Sequence, residues 1–88
     1  MKYSYVRREV IIEDGIIELT CLENELLDLI WNKESKAISF KELNEKLYAN
    51  IGKSNISSLH LLTNRMIDKG VPIKKIRGYG IKIPREEF

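Results

Sequence analysis

The chain is poor in the residues that carry covalent and metal chemistry. Among its 88 residues there is one cysteine and one histidine. A single thiol, Cys21, cannot close an internal disulfide, which excludes a disulfide-stapled secreted scaffold. No His or Cys is paired with it, so it reads as a small, partly buried residue and not a reactive one. The ligand spacing of a zinc site is absent, and no metal or other cofactor is expected. No apolar run approaches the roughly 18 residues that a membrane span requires. The opening residues MKYSYVRREV lack the apolar stretch of a signal peptide, so a cytoplasmic location is expected. There is no glycine-rich phosphate loop followed by Lys-Ser or Lys-Thr. Glu23, Glu25 and Asp28 lie on one predicted helix and read as capping and solvated residues. The expectation is therefore a protein that is not an enzyme.

What is present fits one small α+β domain over residues 1–88. Hydrophobic residues make up 43% and charged residues 32%, enough for a single core with a soluble surface. The net charge is only +2, but it is unevenly spread. Residues 1–45 hold six Lys/Arg and ten Asp/Glu, whereas residues 46–85 hold nine Lys/Arg and one acid, Asp68. Such asymmetry points to a side that faces a polyanion, with a dipolar surface lacking any partner as the plainer alternative.

The local pattern predicts strand, strand, three helices, strand, strand. Residues 3–13 are rich in Tyr, Val and Ile and favour strand. Asp14-Gly15 marks a hairpin turn, with Ile16 to Leu19 returning. Thr20-Cys21-Leu22-Glu23 fits a capping box, and Leu22, Leu26, Leu29 and Ile30 form the buried stripe of a first helix that ends near Trp31. Ser39-Phe40-Lys41-Glu42 fits a second box, whose helix carries Phe40, Leu43 and Leu47 and ends at Tyr48. "ANIGKSN" (residues 49–55) connects it to a third helix over Ser57 to Lys69. Ser54, Ser57 and Ser58 are its candidate N-caps. Leu59, Leu62, Thr63 and Met66 make the core face, while His60, Leu61, Asn64, Arg65 and Asp68 make the other. Gly70 and Pro72 stop the helix. "VPIKKIRGYGIKI" then alternates as a hairpin, turning at Arg77-Gly78-Tyr79-Gly80, with both glycines assigned to turn geometry. A helix followed by a basic hairpin is how a winged-helix protein grips duplex DNA.

Three of these segments, in this order, resemble the winged helix-turn-helix DNA-binding domain of the OmpR/PhoB-type response regulators. The resemblance runs from about Ile11 to Ile83. "IELTCLENELLDLI" is similar to that family's first helix, "ISFKELNEKLY" to its second and "IKKIRGYGIKI" to its wing. It implies a short N-terminal β-hairpin, a three-helix core and a C-terminal β-hairpin wing. It also implies a bacterial or phage-encoded regulator of transcription. The family's receiver domain has no room in 88 residues, so aspartyl-phosphate control within this sequence is not expected. Asn24 stands where the family often has an aromatic. The third helix is less cationic than its relatives: Arg65 falls on a DNA-contacting arginine of the family, but Asn64 and Ile67 take positions that are usually basic.

The residue types suit base and phosphate recognition. Arginine matches guanine O6 and N7 with two donors, and asparagine matches adenine N6 and N7, so Arg65 and Asn64 are the expected base readers. Leu61 suits a thymine methyl, or packs against the inter-helix connection. His60 suits a phosphate or a base, or is an exposed residue without a role. Ser57 and Ser58 suit a phosphate at the helix N-terminus, alongside capping. The resemblance places Arg77 in a minor groove, where narrow A·T-rich DNA attracts arginine. Lys74, Lys75 and Lys82 are candidate phosphate contacts, and Tyr79 either touches backbone or packs under the wing.

The expected partner is double-stranded DNA, bound by a homodimer or by tandem copies, because a domain of this size makes few contacts. In the related family the connection before the third helix touches RNA polymerase. Two alternatives stay open: a winged-helix protein-interaction factor, phage- or mobile-element-encoded, that binds RNA polymerase or a host regulator, and a DNA-binding protein of replication or segregation.

Overall fold

A computed structural model describes residues 1–48 and 56–88. The architecture is α+β, with three helices and two small antiparallel sheets. The first sheet holds β1 (Lys2–Ser4), β2 (Glu9–Ile12) and β3 (Gly15–Glu18), in that order. The expected N-terminal hairpin is therefore a three-stranded sheet. The extra reversal is the segment Tyr5–Arg8, because Ser4 pairs with Glu9. Arg8 enters the left-handed region at φ 52 and its amide reaches the Tyr5 carbonyl at 3.2 Å. The Ser4 hydroxyl accepts the Arg7 amide, also at 3.2 Å. No Gly, Pro, Asn or Asp marks this turn, so strand-favouring residues concealed it. The second turn moves by one residue. Ile12 pairs with Gly15, so Glu13 and Asp14 form the loop, and Gly15, at φ 146, opens a strand that ends at Glu18.

Helix α1 (Cys21–Trp31) begins at the expected capping box. The Thr20 hydroxyl accepts the Glu23 amide at 3.3 Å, and the Glu23 carboxylate accepts the Thr20 amide at 2.8 Å. Its buried stripe is rotated from expectation: Leu26, Leu27 and Ile30 are fully buried, while Leu22 is 36% exposed. Cys21 is exposed and receives a 2.9 Å hydrogen bond from Arg8 Nη1, so it is not the partly buried residue expected. At the other end α1 has no basic residue in its last turn. Lys36 supplies one from outside the helix. Its ammonium donates to the Trp31 carbonyl at 2.5 Å and lies 4.7 Å from the Trp31 ring centroid, an arrangement favoured by the helix dipole and the ring face. Trp31 also meets Tyr3 and Phe88 edge-on, which binds β1 to the C-terminal turn.

A strand that the sequence reading missed, β4 (Ala37–Ser39), runs directly into α2 (Phe40–Tyr48). Ser39 accepts the Glu42 amide at 3.0 Å, as its capping role requires. After α3 (Ile56–Asp68) come β5 (Lys74–Ile76) and β6 (Gly80–Lys82), and then a 3-10 turn at Arg85–Glu87. The second sheet has the order β4-β6-β5, so β4 converts the C-terminal hairpin into a three-stranded sheet. Gly80 permits this. A Cβ there would lie 1.9 Å from the Ile38 carbonyl oxygen and 2.7 Å from the Ser39 Cα. Its role is close backbone approach and not turn geometry; the turn residue is Gly78, at φ 75. One core joins all the layers. Val10, Ile17 and Leu19 from the first sheet meet Leu26, Leu27, Ile30, Leu43, Leu59 and Met66 from the helices, and Ile38, Ile81 and Ile83 from the second sheet.

Candidate nucleic-acid interface

Helix α3 turns its two faces as the sequence pattern predicts. Leu59, Leu62, Thr63 and Met66 are buried, and the Thr63 hydroxyl is satisfied by the Leu59 carbonyl at 2.8 Å. Leu61, Asn64, Arg65 and Asp68 are exposed. Ser57 and Ser58 sit inside the first turn of the helix, not ahead of it as N-caps. Ser54 and the connection of residues 49–55 lie outside the described residues.

His60 is the main departure on this helix. It is half-buried, with its ring centroid 4.3 Å from that of Phe40 at an interplanar angle of 47°. The imidazole thus packs α3 against the start of α2, and base or phosphate contact is not its first engagement. Phe40 is also tied to the hairpin, because its amide donates to the Tyr79 carbonyl at 2.9 Å. One residue therefore links the hairpin turn, the start of α2 and the exposed side of α3. Sequence spacing had no means to find this junction, since its three members are far apart in the chain.

The end of α3 feeds the hairpin without a linker. The Gly70 amide bonds the Ile67 carbonyl at 2.9 Å and the Val71 amide bonds the Met66 carbonyl at 3.0 Å. Gly70, at φ 101, takes the left-handed position that ends such a helix. In the hairpin, Ile76 pairs with Gly80, which leaves Arg77, Gly78 and Tyr79 as a three-residue tip closed by a 3.0 Å bond from the Tyr79 amide to the Ile76 carbonyl. The Arg77 side chain stands exposed at this tip, and the Tyr79 side chain is half exposed. Lys74 and Lys82 are directly opposite each other across the strands, and both are exposed. Lys75 is exposed on the alternate face, opposite buried Ile81.

Some of the cations have acid partners and others do not. Arg7 pairs with Glu9 at 3.2 Å, Lys33 and Lys46 both pair with Glu42, and Lys69 pairs with Glu23 at 2.6 Å. The two lysine hydrogen bonds hold the Glu42 carboxyl below the ordinary carboxylate range. Burial alone raises the Glu23 carboxyl, but bonds from Lys69 and Thr20 outweigh it and hold the group below its ordinary value. Among the described residues, Arg65, Lys74, Lys75, Arg77 and Lys82 form no ion pair with any acid. These are the cations of the α3 face and the hairpin; Lys2, Arg8, Lys36, Lys41 and Arg85 also lack an acid among the described residues, but they are spread over β1, α2 and separate turns.

A shallow hollow of about 280 Å³ lies beside α3, lined by Leu22, Tyr48, Ser58, Leu61, Leu62 and Arg65. Leu61, expected either on a base or against the connection, is 53% exposed and forms one wall of it. Among the described residues no group of three or more His, Cys, Asp or Glu side chains is placed to hold a metal ion, and no helix is long and apolar enough to cross a membrane. Comparison with family models, curated proteins and solved structures gave no match for the chain.

Proposed function

We propose that the chain is a winged helix-turn-helix protein that binds double-stranded DNA and regulates transcription in a bacterial or phage-infected cell, with no enzymatic activity. In this reading α3 enters the major groove and the β5–β6 hairpin is the wing, with Arg77 at its tip in the adjacent minor groove. The observation that carries it is the set of cations without acid partners on these two elements. Five uncompensated cations on one helix face and the hairpin that follows it suit a phosphate backbone.

Asn64 and Arg65 read bases, and Ser57, Ser58, Lys74, Lys75 and Lys82 hold phosphate. Tyr79 supports the wing through its carbonyl bond to Phe40. His60 positions α3 through Phe40. A single domain of this size makes few base contacts, so operator binding uses two copies on repeated half-sites.

The test is fluorescence anisotropy of random-sequence and A·T-rich duplexes titrated with the protein at several salt concentrations. With Lys74, Lys75 and Lys82 on phosphate, log K falls against log salt with a slope of about −3. Absence of binding at low salt would rule the reading out. A second reading has one observation in its favour, the leucine-walled hollow on α3: a protein-interaction factor that binds RNA polymerase or a host regulator. Its binding would weaken far less with salt than binding to a duplex, because apolar burial releases no counterions.

A further inference from the structure

We infer that the hollow beside α3 is a docking site for a segment of a partner protein that presents one large aliphatic side chain with a carboxylate close by, and that its occupation excludes DNA. The second half of this statement rests on the DNA-binding reading; the first does not.

The hollow combines two halves of the chain. Leu22 comes from the first turn of α1, Tyr48 from the end of α2, and Ser58, Leu61, Leu62 and Arg65 from α3. Among the described residues that line the hollow, Leu22 and Leu61 are the large, apolar ones substantially open to solvent, at 36% and 53%. At about 280 Å³ the space falls just below the range of roughly 300–1,000 Å³ typical of small-molecule sites. It suits a single inserted side chain. Nucleic acid is a poor occupant of leucine walls, since a duplex offers little apolar surface beyond thymine methyl groups. A polypeptide offers aliphatic side chains freely.

Charge complementarity specifies the rest of the occupant. Arg65 lines the hollow and has no acid partner among the described residues. An inserted leucine, isoleucine or methionine therefore binds better when a carboxylate lies one helical turn away, because Arg65 pairs bidentately with carboxylates. Leu61 and Arg65 also belong to the face that is offered to DNA. A partner seated on them covers that face, so an acidic, leucine-bearing segment acts as a competitor of DNA.

The test uses the whole chain, isotopically labelled for NMR, and a short synthetic amphipathic peptide with leucine and glutamate one helical turn apart. A second peptide carries lysine in place of each glutamate. Expected are amide shifts concentrated at Leu22, Leu61 and Arg65, and weaker binding of the lysine peptide. Leu61→Ser is expected to weaken the glutamate peptide about tenfold or more, as loss of a buried leucine implies. Arg65→Gln is expected to abolish the preference between the two peptides. Equal binding of both peptides by the unmodified chain, or shifts scattered away from the hollow, would overturn the assignment. So would shifts at these amides that grow with protein concentration alone, which assign the hollow to a second copy of the chain.

The competition arm adds the glutamate peptide to a preformed complex of protein with labelled duplex. Release of the duplex supports exclusion, and a ternary complex overturns it. Failure to form the complex with duplex in the first place refutes the DNA reading instead, and leaves the peptide result standing by itself.

Discussion

The N-terminal and C-terminal sheets have the same strand number and the same antiparallel pairing, yet they treat like charges differently. Glu9 and Glu18 stand directly opposite each other in the first sheet, and Lys74 and Lys82 do so in the second. Near Glu9 the chain supplies a cation, while the Glu18 carboxylate forms no ion pair among the described residues. Arg7 lies 3.2 Å from Glu9, and Lys69 closes over the junction of β3 and α1, bonding the Glu18 carbonyl at 3.2 Å and the Glu23 carboxylate at 2.6 Å. Lys74 and Lys82 have no acid partner among the described residues. Directly opposed like charges destabilise a sheet. The first sheet gives one of its opposed acids, Glu9, a cation, and the second sheet gives neither lysine an acid among the described residues. The paired half of the comparison lies around β2, β3 and α1, and the unpaired half in the C-terminal hairpin.

The most severe way to break this comparison acts on geometry. Gly80→Ala places a Cβ 1.9 Å from the Ile38 carbonyl oxygen, where only backbone movement relieves the overlap. A loss of about 3 kcal/mol or more is expected in urea unfolding, with separation of β4 from β6. Gly78→Ala adds a methyl with no atom within 4 Å, and costs only the left-handed backbone at φ 75. That is about 1 kcal/mol. Equal effects at the two glycines would show that the C-terminal sheet does not depend on the close approach of β4.

Charge removal at the hairpin tip should separate binding from stability. Arg77→Ala deletes an exposed side chain without an ion pair, so thermal unfolding is expected to change by less than about 0.5 kcal/mol. Affinity for A·T-rich duplex is expected to fall about tenfold or more, with a shallower salt slope. Normal duplex binding by this variant would remove Arg77 from the groove.

Lys69 tests the paired half. Replacing it with Ala strands the Glu23 carboxylate, which is only 3% exposed. The cost is about 1–2 kcal/mol rather than the larger penalty of a fully buried pair, because the Lys69 side chain is 37% exposed and screened by water. The same pair sets a pH dependence. Glu23 is held below its ordinary value of 4.5, so its contribution is fully present above that value and is lost as pH falls through the lowered one. Glu23→Gln should therefore flatten the acid side of the stability profile. An unchanged acid limb would show that other carboxylates govern it.

These contrasts also explain how much was legible in the sequence. The Thr20 capping box, the core face of α3 and the C-terminal hairpin were readable because each is a local pattern, set by a cap, a 3.6-residue repeat or a glycine turn. The charge division was readable by counting. The Tyr5–Arg8 turn was not, since β-favouring residues form it. β4 was not, since three residues carry too little periodicity and its strand partner lies far along the chain. Leu22 and Leu27 exchanged places because both fit a helical repeat, and only packing decides which side of α1 meets the core. The roles of Glu23, Gly80 and Phe40 rest on contacts with Lys69, Ile38 and His60. A sequence pattern names such residues without naming what they meet. Of the candidate site, the exposed face of α3 and the Arg77 tip were foreseen; the packing of His60 and the hollow beside Leu61 were not.

The smallest expected effect sharpens the comparison most, because its two readouts move in opposite directions. Lys74→Glu turns the opposed Lys74–Lys82 pair into an opposite-charge pair across the same register. The gain in stability is about 0.2–1 kcal/mol, the range of a cross-strand pair at an exposed site. It should shrink as salt rises, since added ions screen the attraction as they screen the original repulsion. DNA affinity should fall at the same time, through the loss of one phosphate contact and the repulsion of another phosphate by the new carboxylate. A substitution that stabilises the fold while it weakens the function is the mark of charge held at a cost for a ligand. If Lys74→Glu instead left both stability and duplex binding unchanged, the opposed lysines would be a solvated surface. The electrostatic case for the C-terminal sheet would then rest on Lys75 and Arg77.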